Sequence, residues 1–147
     1  MEALTFTVPG VARGKGRPRI GKIGQHARMF TDSQTAAYEN LVALAARQAL
    51  RGRAPFAEPV KVTAIVRMVP PQSASKKARA AMLAGAQLPG KKPDLDNVLK
   101  AVLDGCNGVA FVDDALITQI AARKLYADEA GVDVVIKPAI PAPEIAA

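Results

Sequence analysis

The sequence predicts an α+β domain, a small mixed β-sheet with helices packed on it, and three observations predict it. Alternating apolar residues mark short strands, and stretches of helical period lie between them. The elements follow one another as strand, helix, strand, short helix, helix, strand, strand, an order that favours a mixed sheet covered by helices. The chain has 147 residues and shows neither an internal repeat nor a linker, which suits one domain over residues 1–137 and a loose tail over 138–147.

Leu4, Phe6 and Val8 alternate with Thr5 and Thr7, giving a first strand that ends at Pro9-Gly10. Residues 11–22 read as a loop, too rich in glycine for an ordinary element and lacking the Gly-Lys-Ser/Thr ending of a Walker-type phosphate loop. Thr31-Asp32-Ser33-Gln34 fits a capping box. Behind it Tyr38, Leu41, Val42, Ala45, Ala49 and Leu50 make a helix to about Arg51, ended by Gly52. Val60, Val62, Ala64, Val66 and Met68 form a half-buried strand stopped by Pro70-Pro71. Ser75 suits the cap of a short basic helix that carries Lys76, Lys77 and Arg79 and is closed by Gly85. Leu95, Val98, Leu99, Val102, Leu103 and Cys106 make the apolar stripe of a further helix, with Gly105 and Gly108 as stop signals. A weakly patterned strand from Leu116 to Tyr126 and a short one through Val132, Val134 and Ile136 complete the fold.

Half the residues are apolar, and the length is enough to bury roughly 68–70% of the unfolded surface, as in soluble globular proteins. No apolar run reaches the roughly 18 residues needed to span a bilayer. The first residues show no secretory pattern, so no membrane partner and a cytoplasmic location are expected. The single cysteine, Cys106, sits on an apolar stripe and reads as a buried small hydrophobe. The net charge of +7 is unevenly spread. Residues 1–53 carry 9 Lys/Arg against 3 acids and residues 54–93 carry 7 against 1, whereas residues 94–147 carry 4 against 9. Such asymmetry suggests a polyanion partner, with a basic solvated face as the plain alternative. Six of the basic residues lie between Val11 and Arg28 with no acid among them. Arg13, Lys15, Arg17 and Arg19, with Lys76, Lys77, Lys91 and Lys92 further on, are therefore candidate contacts to DNA phosphates.

Against this basic background, acid gathers at Asp94-Leu95-Asp96 and at Asp113-Asp114. Two residues apart on a helix, side chains point about 200° from each other around the axis. Asp94 and Asp96 can therefore cooperate only if the chain is still extended at Asp94, an arrangement that also turns Leu95 into the core. Asp96, Lys100 and Asp104 share another face of the same helix, each four residues from the next. Each acidic pair also has an ordinary structural reading. Asp94 can cap the helix by accepting an orphan N–H, and Asp96 can pair with Lys100 for roughly 0.3–0.5 kcal/mol. Asp113-Asp114 can turn the chain between strands. If the acids form one site, its chemistry is restricted. One histidine and one cysteine cannot make a zinc centre, whereas carboxylates suit Mg²⁺, or Mn²⁺ in its place.

The run from Lys92 to Ala101, with Leu103-Asp104-Gly105, Phe111-Val112-Asp113-Asp114 and Ile117, closely resembles the RusA family of Holliday-junction resolvases. Gly14-Lys15-Gly16-Arg17-Pro18-Arg19 resembles its phage and prophage branch. The likeness runs from the first strand to about Ile136. It implies a RusA-like fold and a homodimeric, Mg²⁺-dependent endonuclease that nicks four-way junction DNA symmetrically in recombination and repair. It implies catalytic, metal-holding acids at Asp94, Asp96 and Asp114, an important lysine at Lys100, and Asp113 as a further candidate ligand. The competing expectation is a DNA-binding protein without catalysis, using the basic N-terminal and 61–92 segments while the aspartates cap and turn. A metal-dependent phosphatase or nucleotide-sugar transferase built on Asp-x-Asp ranks last, because such motifs usually follow an apolar strand and Gly90-Lys91-Lys92-Pro93 precedes this one.

Overall fold

A computed structural model describes residues 2–16, 19–23, 26–30 and 33–141, with the backbone alone given for the second and third of these stretches. Four strands form the main sheet: β1 (Leu4–Pro9), β4 (Val60–Met68), β5 (Ile117–Tyr126) and β6 (Gly131–Pro138). Their order across the sheet is β1-β6-β4-β5. β6 runs antiparallel to β1 and β4, and β4 runs parallel to β5, so the sheet is mixed as expected. Alternation decides which side is buried. Leu4, Phe6 and Val8, then Val60, Val62, Ala64 and Val66, then Val132, Val134 and Ile136 form one core with the helices, while Thr5 and Thr7 face outward.

The helices are α1 (Ser33–Leu50), α2 (Lys76–Leu83) and α3 (Leu95–Cys106). α1 ends where Arg51 and Gly52 adopt positive φ, of 52° and 81°. Ser75 caps α2, its hydroxyl accepting from the Ala78 N–H. α3 buries Val98, Ala101, Val102, Gly105 and Cys106 against α1 and the sheet. Burial pushes the Cys106 thiol up to about 12, as an inert core thiol requires. Among the described residues no helix is long and apolar enough to cross a membrane.

Two expectations need correction. The glycine-rich stretch is not all loop, because β2 (Arg19–Ile23) and β3 (His26–Phe30) pair antiparallel as a separate two-stranded ribbon. Gly24-Gln25 between two runs, with glycine first, is the sequence signal for such a hairpin. Gly105 is not a stop signal. It lies inside α3, where an added Cβ would fall 2.7 Å from the Val42 Cβ and 2.8 Å from the Glu39 carbonyl oxygen. Its role is close approach of two helices, and the stop falls at Gly108, with φ 77°. Thr31 and Asp32 of the expected capping box lie outside the described residues. At the other end β6 runs through Pro138, and the Ala139 N–H donates to the Pro59 carbonyl at 2.9 Å. Of the expected loose tail, residues 142–147 lie outside the described residues.

The helix contact gives a direct prediction. Gly105→Ala should destabilise the fold by about 1–3 kcal/mol, because backbone as well as side chain must move to admit the methyl group. Urea unfolding of the variant measures this, and unchanged or raised stability would show that α1 and α3 do not meet there.

Candidate metal centre and nucleic-acid interface

Burying one side of α3 leaves Asp96, Lys100 and Asp104 on an open side, stacked at four-residue spacing. They line a cleft of about 390 Å³ together with Leu99, Leu103, Asp114, Ile117 and Ile120. Asp96 and Lys100 are exposed and Asp104 is half-buried. One acid of each sequence cluster therefore reaches the same cleft, with Lys100 between the carboxylates of α3.

Asp114 is delivered by a chain of backbone contacts. Phe56 and Phe111 are buried, and the Phe56 N–H donates to the Ala110 carbonyl at 2.8 Å while the Val112 N–H donates to the Phe56 carbonyl at 3.0 Å. This locks Val109-Ala110-Phe111-Val112 beside the core through isolated bridges from Phe111 to Phe56 and Asn107 rather than as a strand. The Asp114 N–H then donates to the Asn107 Oδ1 at 3.0 Å, tying it to the end of α3. Asp114 opens a 3₁₀ turn, Asp114–Leu116, that leads into β5, and the Asp113 carboxylate accepts from the Ala115 N–H at 3.4 Å as its cap. Asp113 thus takes the structural part that the turn reading gave to the pair.

The Asp114 carboxyl is raised above its ordinary value, first by side-chain hydrogen bonding with Asp113, then by partial desolvation and by the charges of Asp113 and Asp104. The sign follows directly. The folded state holds the Asp114 proton more tightly than the unfolded chain, so this group costs stability as pH rises from the ordinary 3.8 through the raised value. A cation in the cleft would relieve the same repulsion.

Asp94 occupies the N-cap position of α3 with extended φ and ψ of −68° and 139°, the conformation the sequence argument required. Its carboxylate takes none of the first-turn N–H groups, so the capping reading fails and the group is left for other partners. Leu95 packs against the core. Asp94 opens on an adjoining cleft lined also by Arg13, Lys15, Gln34, Lys92, Pro93 and Asn97. The Lys124 ammonium holds the approach to it, donating to the carbonyls of Lys91 at 2.6 Å and Pro93 at 3.1 Å. Sequence reasoning placed Lys124 at the end of a strand but gave it no role. In parallel register β5 sets Lys124 opposite Val66, on the side of the sheet that carries the helices.

The basic residues are distributed differently from the sequence expectation. Lys92 lines the second cleft and Lys91 is exposed beside it. Arg13 is exposed and donates to the Gln34 Oε1 at 2.8 Å. Lys15 is turned inward: its ammonium bonds the Asp104 carboxylate and the Glu39 Oε1, the latter at 3.3 Å. The bond to Asp104 raises its pKa, with burial opposing. Lys76 and Lys77 sit at the exposed start of α2 and are not among the residues lining either cleft. Arg17 lies outside the described residues, and Arg19 is described only as backbone in β2.

One prediction concerns the acid pair. In a ¹³C-carboxyl NMR titration without metal, Asp114 should titrate above its ordinary value and move back towards it in Asp113→Asn. An unshifted Asp114 in the parent protein would show that the Asp113 side chain does not favour its protonated form.

Residues 9–137 match the family described as endodeoxyribonuclease RusA. The chain is also 31% identical over 139 residues to the uncharacterized protein YqaN of Bacillus subtilis (strain 168), covering 93% of this chain and 97% of that one. With all three helices, most of the strands and both acidic clusters inside the matched span, the chain belongs to the RusA endodeoxyribonuclease family, whose activity is phosphodiester hydrolysis.

Proposed function

We propose that this chain resolves Holliday junctions, cutting four-way DNA by paired symmetric nicks that depend on Mg²⁺, with Mn²⁺ able to substitute. The observation that carries the reading is the shared, exposed cleft in which Asp96, Lys100, Asp104 and Asp114 meet. Family membership supports it independently. Two nicks related by the symmetry of the junction call for two such clefts, hence a homodimer.

The donor set suits the ion. Among the described residues no group of three or more His, Cys, Asp or Glu side chains is placed to hold a metal ion by itself. Mg²⁺ is usually held by one or two carboxylates, with water and substrate phosphate completing its shell. Asp96 and Asp114 would hold it, with Asp94 facing the strand from the adjoining cleft. When bound, the ion supplies a Lewis acid for a phosphoryl oxygen and lowers the pKa of a water. The protein's own groups do the positioning. Lys100 balances charge on the scissile phosphate, and Arg13, Lys91 and Lys92 contact neighbouring phosphates beside the second cleft.

A DNA-binding protein without catalysis would use its aspartates as caps and turns. Asp113 fits that description, whereas the uncapping carboxylate of Asp94 and the exposed Asp96 do not. Asp114→Asn should lower nicking of a synthetic four-way junction on the order of 10²–10³-fold, the range for losing one preorganised electrostatic group, while junction affinity in Ca²⁺ stays close to that of the parent. Lys100→Ala should likewise reduce turnover more than affinity. Undiminished nicking by Asp114→Asn, or nicking that survives EDTA, would remove the assignment.

A further inference from the structure

Lys15 belongs to the most basic stretch of the chain and lines the cleft of Asp94, yet its ammonium is engaged by carboxylates of the fold. The ammonium bonds Asp104 on α3 and Glu39 on α1, and is only 23% exposed. The backbone on either side is fixed as well. The Lys15 N–H donates to the Asn97 carbonyl at 3.0 Å, and the Gly16 N–H donates to the Thr35 Oγ1 at 2.9 Å. Gly14 passes so close to α3 that a Cβ there would lie 3.1 Å from the Asn97 Cβ. Three elements that are distant in sequence meet at this one cation. Its partner Asp104 lines the acidic cleft, and its charge reaches Asp114.

We propose that Lys15 is a positioning residue of the acidic cleft, a resident counter-ion that holds the Asp104 carboxylate against α1 and so leaves the divalent ion to Asp96 and Asp114, rather than a contact to DNA phosphate. The inference rests on the metal-nuclease reading of that cleft. Without the ammonium, three carboxylates would face Lys100 alone. A divalent ion would then be held more tightly but drawn towards Asp104, away from where Lys100 can meet the phosphate. A purely structural tether would lose stability on removal and could not tighten the binding of a cation.

The experiment compares the full-length parent with Lys15→Met, Lys15→Arg and Asp104→Asn. Mn²⁺ binding without DNA is read from the free-ion EPR signal, junction affinity in Ca²⁺ is read over a series of salt concentrations, and nicking is resolved into kcat and KM. Lys15→Met should bind Mn²⁺ several-fold tighter, lose kcat with KM little changed, and keep the parental salt slope; Lys15→Arg should restore the parental values. A salt slope smaller by about 0.9 in Lys15→Met would make Lys15 a phosphate contact and overturn the proposal. Unchanged or weaker Mn²⁺ binding would overturn it too. If Lys15→Met does not fold, Asp104→Asn decides. Mn²⁺ affinity close to that of the parent supports the proposal, and a tenfold or greater loss, of the size that disturbing a metal's ligand shell produces, contradicts it. A parent that neither binds Mn²⁺ nor nicks would remove the metal-nuclease reading itself. A parent that does both beside an unaltered Lys15→Met removes only the role of Lys15.

Discussion

The docking of α3 governs the rest of this structure. Its buried side, Val98, Ala101, Val102, Gly105 and Cys106, is fixed against α1 and the sheet, and Gly105 lets the two helices close to backbone contact. Once that side is committed, Asp96, Lys100 and Asp104 have one direction left, which is the cleft beside β5. The site is therefore a consequence of core packing. Burial of large side chains such as Phe56 and Phe111, each contributing about 1.5–3 kcal/mol, brings the second acidic cluster to the same place. No attraction between the acids is needed, and the charges of Asp113 and Asp104 add to the hydrogen bonding and desolvation that raise the Asp114 carboxyl.

That repulsion connects fold to chemistry. Like charges brought together by packing are strained until something positive arrives, and the protein supplies part of it in Lys100 and Lys15. The remainder suits a divalent ion and, through it, the phosphate backbone. Charge along the chain thus divides into different functions. Lys15 and Lys124 are engaged within the fold, one by carboxylates and the other by loop carbonyls, while Lys91, Lys92 and Arg13 stay at the surface beside the second cleft.

Much of this was legible in the sequence where periodicity is strong. The stripe from Leu95 to Cys106 gives the bounds of α3, and the alternation from Val60 to Met68 gives β4. The demand for extended backbone at Asp94 came from geometry alone and agrees with its φ and ψ. Local signals misled where tertiary contact decides. Gly105 has the composition of a stop and the position of a helix contact. The stretch from Arg19 to Phe30 has the composition of a loop and the pairing of a hairpin. The charge of Lys15 can be counted along the chain, whereas its carboxylate partners, 24 and 89 residues away, cannot be seen in it. The partnership of Asp94 and Asp96 with Asp114 was an expectation from motif and chemistry; Asp96 and Asp114 line one cleft and Asp94 another, and the contacts that deliver Asp114, through Phe56 and Phe111, leave no local trace.

The central claim is that one cation sits between the two acidic clusters. Crystals grown with MnCl₂ and measured at the manganese absorption edge test it most directly. An anomalous peak in the cleft, within ligand distance of the Asp96 and Asp114 carboxylates, is expected. A peak elsewhere, or none while the same protein nicks junctions in Mn²⁺ solution, would contradict it.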